Sequence, residues 1–173
     1  MRPIVKVPLR YGAIAGVLGA ILVIGLFFMG KHPFLIEIYL DFRIFIFGIF
    51  IFFALKELRD YVYEGVLYFW QGLIASFLFT LFFALTSSLI IGVFGAVEES
   101  FVTEFIRQST IRLEGAREQL IERIGKEAYD SNFRALPATN AGDLALHYYI
   151  QSFVIGTFIG ILLSVILRRQ PKP

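Results

Sequence analysis

Four stretches of this sequence contain no Asp, Glu, Lys or Arg: residues 11–30, 44–55, 65–97 and 144–167, which are 20, 12, 33 and 24 residues long. That spacing limits the possible folds more than any motif does. A hydrocarbon core about 30 Å thick is crossed by about 20 helical residues, so three stretches suffice alone and the second needs its flanks. The composition agrees: 57% of residues are hydrophobic and only 17% charged, where a soluble domain has about a quarter charged. A single water-soluble domain is excluded. The lack of Cys and the presence of only two His exclude thiol catalysis, disulfide frameworks and Cys-rich metal sites, so no cofactor or metal is expected. A net charge of +2 is too small to suggest nucleic acid as a partner.

The pattern predicts an all-α integral membrane protein, one membrane domain over residues 1–173, with four spans at about 11–29, 35–55, 72–94 and 143–167. The first follows Arg2, Lys6 and Arg10 and has no small-x-small cleavage site, so it reads as an uncleaved span rather than a signal peptide. Lys31, His32 and Pro33 break it. The second is uncharged only over Ile44–Leu55, about 18 Å of helix, so it must reach back to Leu35 and take Glu37, Asp41 and Arg43 to the membrane edge. Gly92 and Gly95 mark the end of the third span, and Asn140 or Asp143 is a suitable cap for the fourth.

Between spans three and four the charge alternates. Val102, Ile106, Ser109, Leu113, Ala116, Leu120 and Ile124 recur at steps of four and three, which predicts one continuous amphipathic helix over residues 98–127 with a narrow apolar stripe. That stripe suits a partner, a second copy, the protein's own spans or the lipid surface. Asp130 to Asn140 reads as a loop.

Lys and Arg flanking the spans are Arg2, Lys6, Arg10, Lys56, Arg59, Arg168, Arg169 and Lys172 on one side, against Lys31 and Arg43 on the other once the long 98–143 segment is left out. The positive-inside rule therefore places both termini in the cytoplasm.

Lys56, Glu57, Arg59 and Asp60 form a charged cluster at the end of span two, followed by Gly65, Leu67, Phe69 and Gly72 at the entry to span three. This junction resembles that of the bacterial membrane family called domain of unknown function 4199 (DUF4199), as do the charged helix before the last span and the Arg168-Arg169 ending. Glu64-Gly65 stands where the family has a double glycine. The resemblance implies a four-span inner-membrane protein of a Gram-negative bacterium with no assigned activity, and it carries over no catalytic residues.

Lipid makes a few residues conspicuous. Gly12 with Gly16, and Gly156 with Gly160, are GxxxG pairs; Gly16, Gly19 and Ala20 fall about 9–15 Å above Arg10 and Gly160 and Gly156 about 12–18 Å above Arg168, which predicts a contact between spans one and four, with homodimerisation as the other use of such a pair. Asp41, Arg43, Ser87, His147 and Gln151 fall at similar depth and form an expected polar layer, in which Gln151 is the best partner for Arg43. Asp41 is not expected to meet Arg43, because residues two apart on a helix point to different sides. The Lys56–Asp60 cluster has the composition of an interfacial anchor. The function expected is a non-enzymatic accessory or scaffolding protein with a membrane, periplasmic or self partner. A small transporter or channel subunit using the polar layer, or a lipid-modifying enzyme, is the alternative.

Overall fold

The computed structural model describes residues 2–30, 32–36 and 41–170. They form α1 (Pro3–Phe28), a 3-10 turn (Pro33–Leu35), α2 (Arg43–Glu57), α3 (Phe69–Val97), α4 (Glu99–Gly115), α5 (Arg117–Ile124), α6 (Lys126–Ala135) and α7 (Ala141–Leu167). Among the described residues there is no strand, only a single antiparallel bridge in which Leu67 and Arg169 exchange N–H···O bonds of 2.9 and 2.8 Å.

Among the described residues three helices, not four, are long and apolar enough to cross a membrane: α1, α3 and α7, with 26, 29 and 27 residues. The span expected over 35–55 is instead the 15-residue α2, which rises only about 22 Å. The Asp41 carboxylate accepts the Arg43 backbone N–H at 2.9 Å and so starts the helix at that point. Upstream, Pro33–Leu35 is a separate turn that ends in extended backbone at Ile36. Glu37, assigned above to the edge of this span, lies outside the described residues, as do Lys31 and Lys172.

Contacts at the two ends fix the directions of the helices. Arg10 of α1 donates to Glu57 at the end of α2 at 2.6 Å, and the Leu67–Arg169 bridge joins the entry of α3 to the exit of α7. At the other end His32, beyond α1, bonds the Phe101 carbonyl at 3.0 Å, while Arg43 reaches Gln151 and Ser152 in the first half of α7. Consecutive members of the set α1, α2, α3 and α7 are therefore antiparallel, and the start of α1 and the end of α7 lie at the same end of the bundle.

The helix at the centre is α3, and its neighbours reach it through glycine. A Cβ on Gly12 would come within 2.6 Å of the Phe79 carbonyl oxygen, and one on Gly16 within 2.9 Å of that of Phe83. On the other side, a Cβ on Gly156 would sit 2.6 Å from Thr80 and one on Gly160 2.7 Å from Ser76. Both GxxxG pairs thus pack on α3, which corrects the expected contact of span one with span four. Gly92 and Gly95 are likewise approach points, for Ala145 and for Phe101 and Ala141, rather than the end of α3. Close backbone approach matters here because lipid tails give apolar side chains no reason to prefer one another, so dispersion contacts and interhelical polar contacts decide the pairing. Ser76 and Ser164 face each other at 3.4 Å across the α3–α7 seam, and Phe47 of α2 lies 4.5 Å from Phe83 in the middle of the bundle.

Outside the spans the helix expected to be continuous over 98–127 is divided. Ala116 leaves helical geometry (φ −106°, ψ 14°) after Gly115, and Gly125 (φ 85°) takes a left-handed conformation that glycine adopts at least cost. Asp130 to Asn140, read above as a loop, is mostly α6 and a 3-10 turn. Tyr129 of α6 stacks on Phe133 and donates its hydroxyl to the Leu113 carbonyl at 3.3 Å, holding α6 against α4. The stripe consequently faces its own chain. Ser109 is buried, and Val102, Ile106, Leu113, Ala116 and Leu120 are half-buried, while Ile124 remains 48% exposed.

His32 fastens this outer layer to the bundle. Its ring is buried with centroids 4.9 Å from Phe101, 5.2 Å from Phe105, 5.8 Å from Phe34 and 6.1 Å from Phe27. Burial pushes its pKa below the ordinary histidine value, against a weaker opposing effect of the Phe101 carbonyl and Glu104. The unfolded chain takes up this proton first, so the contribution of His32 is complete above the unfolded value near 6.5 and is lost as pH falls below it.

Two outcomes follow from this packing. In detergent, Gly12→Ala lowers the unfolding temperature whereas Gly25→Ala, which meets nothing within 4 Å, raises it slightly through helix propensity of about 1 kcal/mol. For His32, thermal scans find the protein less stable at about pH 5.5 than at about pH 7.5, and His32→Phe reduces that difference.

Candidate functional site

Arg43 is the first residue of α2 and is 6% exposed. A charge at that depth costs about 2.5–3.5 kcal/mol at a bilayer centre unless it is paired, and the fold pairs it fully. Its Nε donates to both Asp41 carboxylate oxygens at 2.8 Å. Its Nη2 donates to Asp41 and, at 2.9 Å, to the Gln151 side-chain oxygen. Its Nη1 donates to Ser152 Oγ at 3.0 Å. The guanidinium carbon lies 4.6 Å from the ring centroid of Tyr148, a cation–π contact in a desolvated setting.

The partnership with Asp41 corrects the expectation that the two could not meet. The helical two-apart rule does not govern Asp41, which precedes the first turn and bends back to cap Arg43 N–H. Gln151 is a partner, on α7. Ser87 is buried and donates to its own helix at the Phe83 carbonyl, 2.7 Å away, rather than bonding Arg43. His147 is exposed, with its ring 6.0 Å from that of Phe34, and joins no hydrogen bond among the described residues.

Tyr148 and Ser152 are the site residues that sequence reasoning missed. The buried face of α7 runs Leu144, Tyr148, Ser152, Gly156, Gly160 and Ser164, a residue every four positions. That register could have located both, because it places Tyr148 and Ser152 on the same inward stripe as the GxxxG pair. Beside the guanidinium is a cavity of about 60 Å³ lined by Asp41, Arg43, Tyr148 and Gln151 together with Val23 and Phe34. The Tyr148 hydroxyl is buried and has no hydrogen-bond partner among the described residues. Chemically, the arrangement is a neutralised ion pair that ties the start of α2 to α7. Among the described residues no three His, Asp or Glu side chains converge as a metal site would require.

The charged cluster lies at the opposite end. Glu57 accepts from Arg10 at 2.6 Å and from the Tyr11 hydroxyl at 2.9 Å. Arg59 pairs with Asp60 at 2.7 Å and holds that carboxyl below the usual range, and Lys56 is exposed. The chain here makes a wide turn, Leu58–Val62, closed by Tyr63 N–H donating to the Leu58 carbonyl five residues back at 2.9 Å.

Removing one member of the buried pair strands the other. Arg43→Leu is expected to destabilise the protein by about 3–5 kcal/mol in detergent unfolding, and Arg43→Lys by less. The double change Asp41→Leu with Arg43→Leu recovers much of the loss, the non-additivity that identifies a pair.

No curated protein and no solved structure matches this chain. The profile of the family described as Protein of unknown function (DUF4199) matches residues 10–169, nearly the whole sequence and all of the bundle described above except the first seven residues of α1. It includes the Lys56–Asp60 cluster, both GxxxG pairs and the Arg43 site, and on that coverage the chain belongs to the DUF4199 family.

Proposed function

We propose that this chain is a non-enzymatic accessory or scaffolding protein of a bacterial inner membrane, acting with a membrane or periplasmic partner or with a second copy of itself. The observation that carries this reading is the closed bonding around Arg43. A catalytic centre needs an acid, base or nucleophile left free to meet a substrate, and here the guanidinium, Asp41, Gln151 and Ser152 are engaged with one another. The outward faces of the apolar helices meanwhile present large side chains, among them Val93, Phe158 and Ile166 at 66%, 65% and 71% exposure.

The orientation proposed has both termini in the cytoplasm and α4 to α6 on the outer side. It is supported by the bundle end that carries the start of α1 and the end of α7, where Arg2, Lys6, Arg10, Lys56, Arg59, Arg168 and Arg169 collect. Such basic flanks mark the cytoplasmic side.

A second reading, a small transporter or channel subunit, is favoured by the cavity beside Arg43, whose 60 Å³ would hold a few waters. Native mass spectrometry of particles extracted with their own lipid separates the two. The scaffold reading expects masses above the 19.7 kDa of one chain, and single chains throughout would sink it. Ion flux in reconstituted liposomes that Arg43→Gln abolishes would instead select the transporter.

A further inference from the structure

On the outer layer, Leu35, Leu113, Leu120 and Leu136 line a groove of about 480 Å³ between α4, α5 and the two 3-10 turns. Two guanidiniums, Arg112 and Arg123, stand in its lining, and among the described residues no carboxylate does. Among the described residues neither arginine is in a salt bridge. Arg112 spends one N–H on the Leu35 carbonyl at 2.9 Å, which fixes its head at the groove and leaves its other donors available. Ser109, also in the lining and 7% exposed, has a buried hydroxyl with no partner among the described residues. An unsatisfied hydroxyl in such a place costs about 1–3 kcal/mol unless something bonds to it.

The groove lies at the end of the bundle where the apolar helices α1 and α3 terminate. Leu35 belongs to the segment that leaves α1, and α4 begins two residues after α3 ends at Val97. The contacts of His32 with Phe101 and of Leu35 with Arg112 lay α4 across that end of the bundle rather than letting it project. An occupant must then offer an anion to two arginines, an acceptor to Ser109 and an apolar tail to four leucines, and must be available at the bilayer surface.

We propose that this groove holds an anionic phospholipid, its phosphate on Arg112 and Arg123 and part of an acyl chain over Leu113 and Leu120. Guanidinium matches phosphate oxygens through paired N–H groups, which lysine cannot imitate. The apolar floor explains why the stripe on α4 and α5 is only half covered by the protein itself. This assignment rests on the groove alone and stands whether or not the scaffold reading holds.

The experiment is native mass spectrometry of the full chain in an uncharged detergent, titrated with phosphatidylglycerol or with phosphatidylcholine of the same acyl chains. Retention of phosphatidylglycerol should exceed that of phosphatidylcholine, and Arg123→Gln should cut the preference about fivefold, the factor expected for one guanidinium at a membrane surface. Leu120→Ser should weaken retention of both lipids alike. Arg117→Gln changes an exposed arginine outside the groove and should leave the preference intact, with unfolding temperatures confirming that each variant is folded. Equal retention of the two lipids by the native chain, an unchanged preference in Arg123→Gln, or an equal loss in Arg117→Gln would overturn the assignment.

Discussion

The close approach of α1 and α7 to α3 is the condition on which the remainder of this bundle depends. Glycine at 12, 16, 156 and 160 brings two backbones onto opposite sides of α3, where Ser76, Thr80, Phe79 and Phe83 receive them. In water, burying apolar surface would drive association almost regardless of shape. In a bilayer it does not, and the packing must come from contact at short range. The Phe47, Phe79 and Phe83 rings then fill the space that the short α2 leaves beside α3.

That shortness sets the problem that Arg43 solves. With α2 only 15 residues long, its first turn lies inside the bundle, where the four N–H groups of a helix start have no partners of their own. Asp41 answers one of them and the guanidinium together, and Gln151 and Ser152 complete the set from α7. A buried ion pair of this kind is weak evidence for stability as such, since desolvation offsets most of the attraction. Its effect is positional. It fixes which residues of α2 and α7 lie side by side, a choice that apolar side chains facing lipid leave open.

The outer layer repeats the scheme with aromatic residues. His32 sits among Phe27, Phe34, Phe101 and Phe105, and the bond from its ring to the Phe101 carbonyl joins the exit of α1 to the entry of α4. With α4 held at both Phe101 and Arg112, Tyr129 of α6 closes on its Leu113 carbonyl, and the two arginines are left in the lining of the groove beside Leu113 and Leu120.

Several features of this protein were legible from its residues alone. The uncharged stretches located α1, α3 and α7, because the bilayer imposes a length that composition must meet. Depth along the helices points to Gln151 as a partner of Arg43, since a rise of about 1.5 Å per residue converts sequence position into height. What depth could not supply was direction around each helix axis or the conformation before a helix begins. Hence a rule that holds only within helices wrongly excludes Asp41, and depth alone favours His147 over Tyr148 and Ser152. Hence also depth pairs the glycine motifs with each other, although both face α3. The division of residues 98–127 into separate helices was decided by the tertiary structure for a similar reason: Gly115 and Gly125 permit a break, and only the contacts of α6 with Leu113 and of Arg112 with Leu35 determine that the chain turns there. Sequence fixes height and polarity because each residue carries them individually, whereas azimuth, pairing and the bend of a chain belong to the contacts between segments.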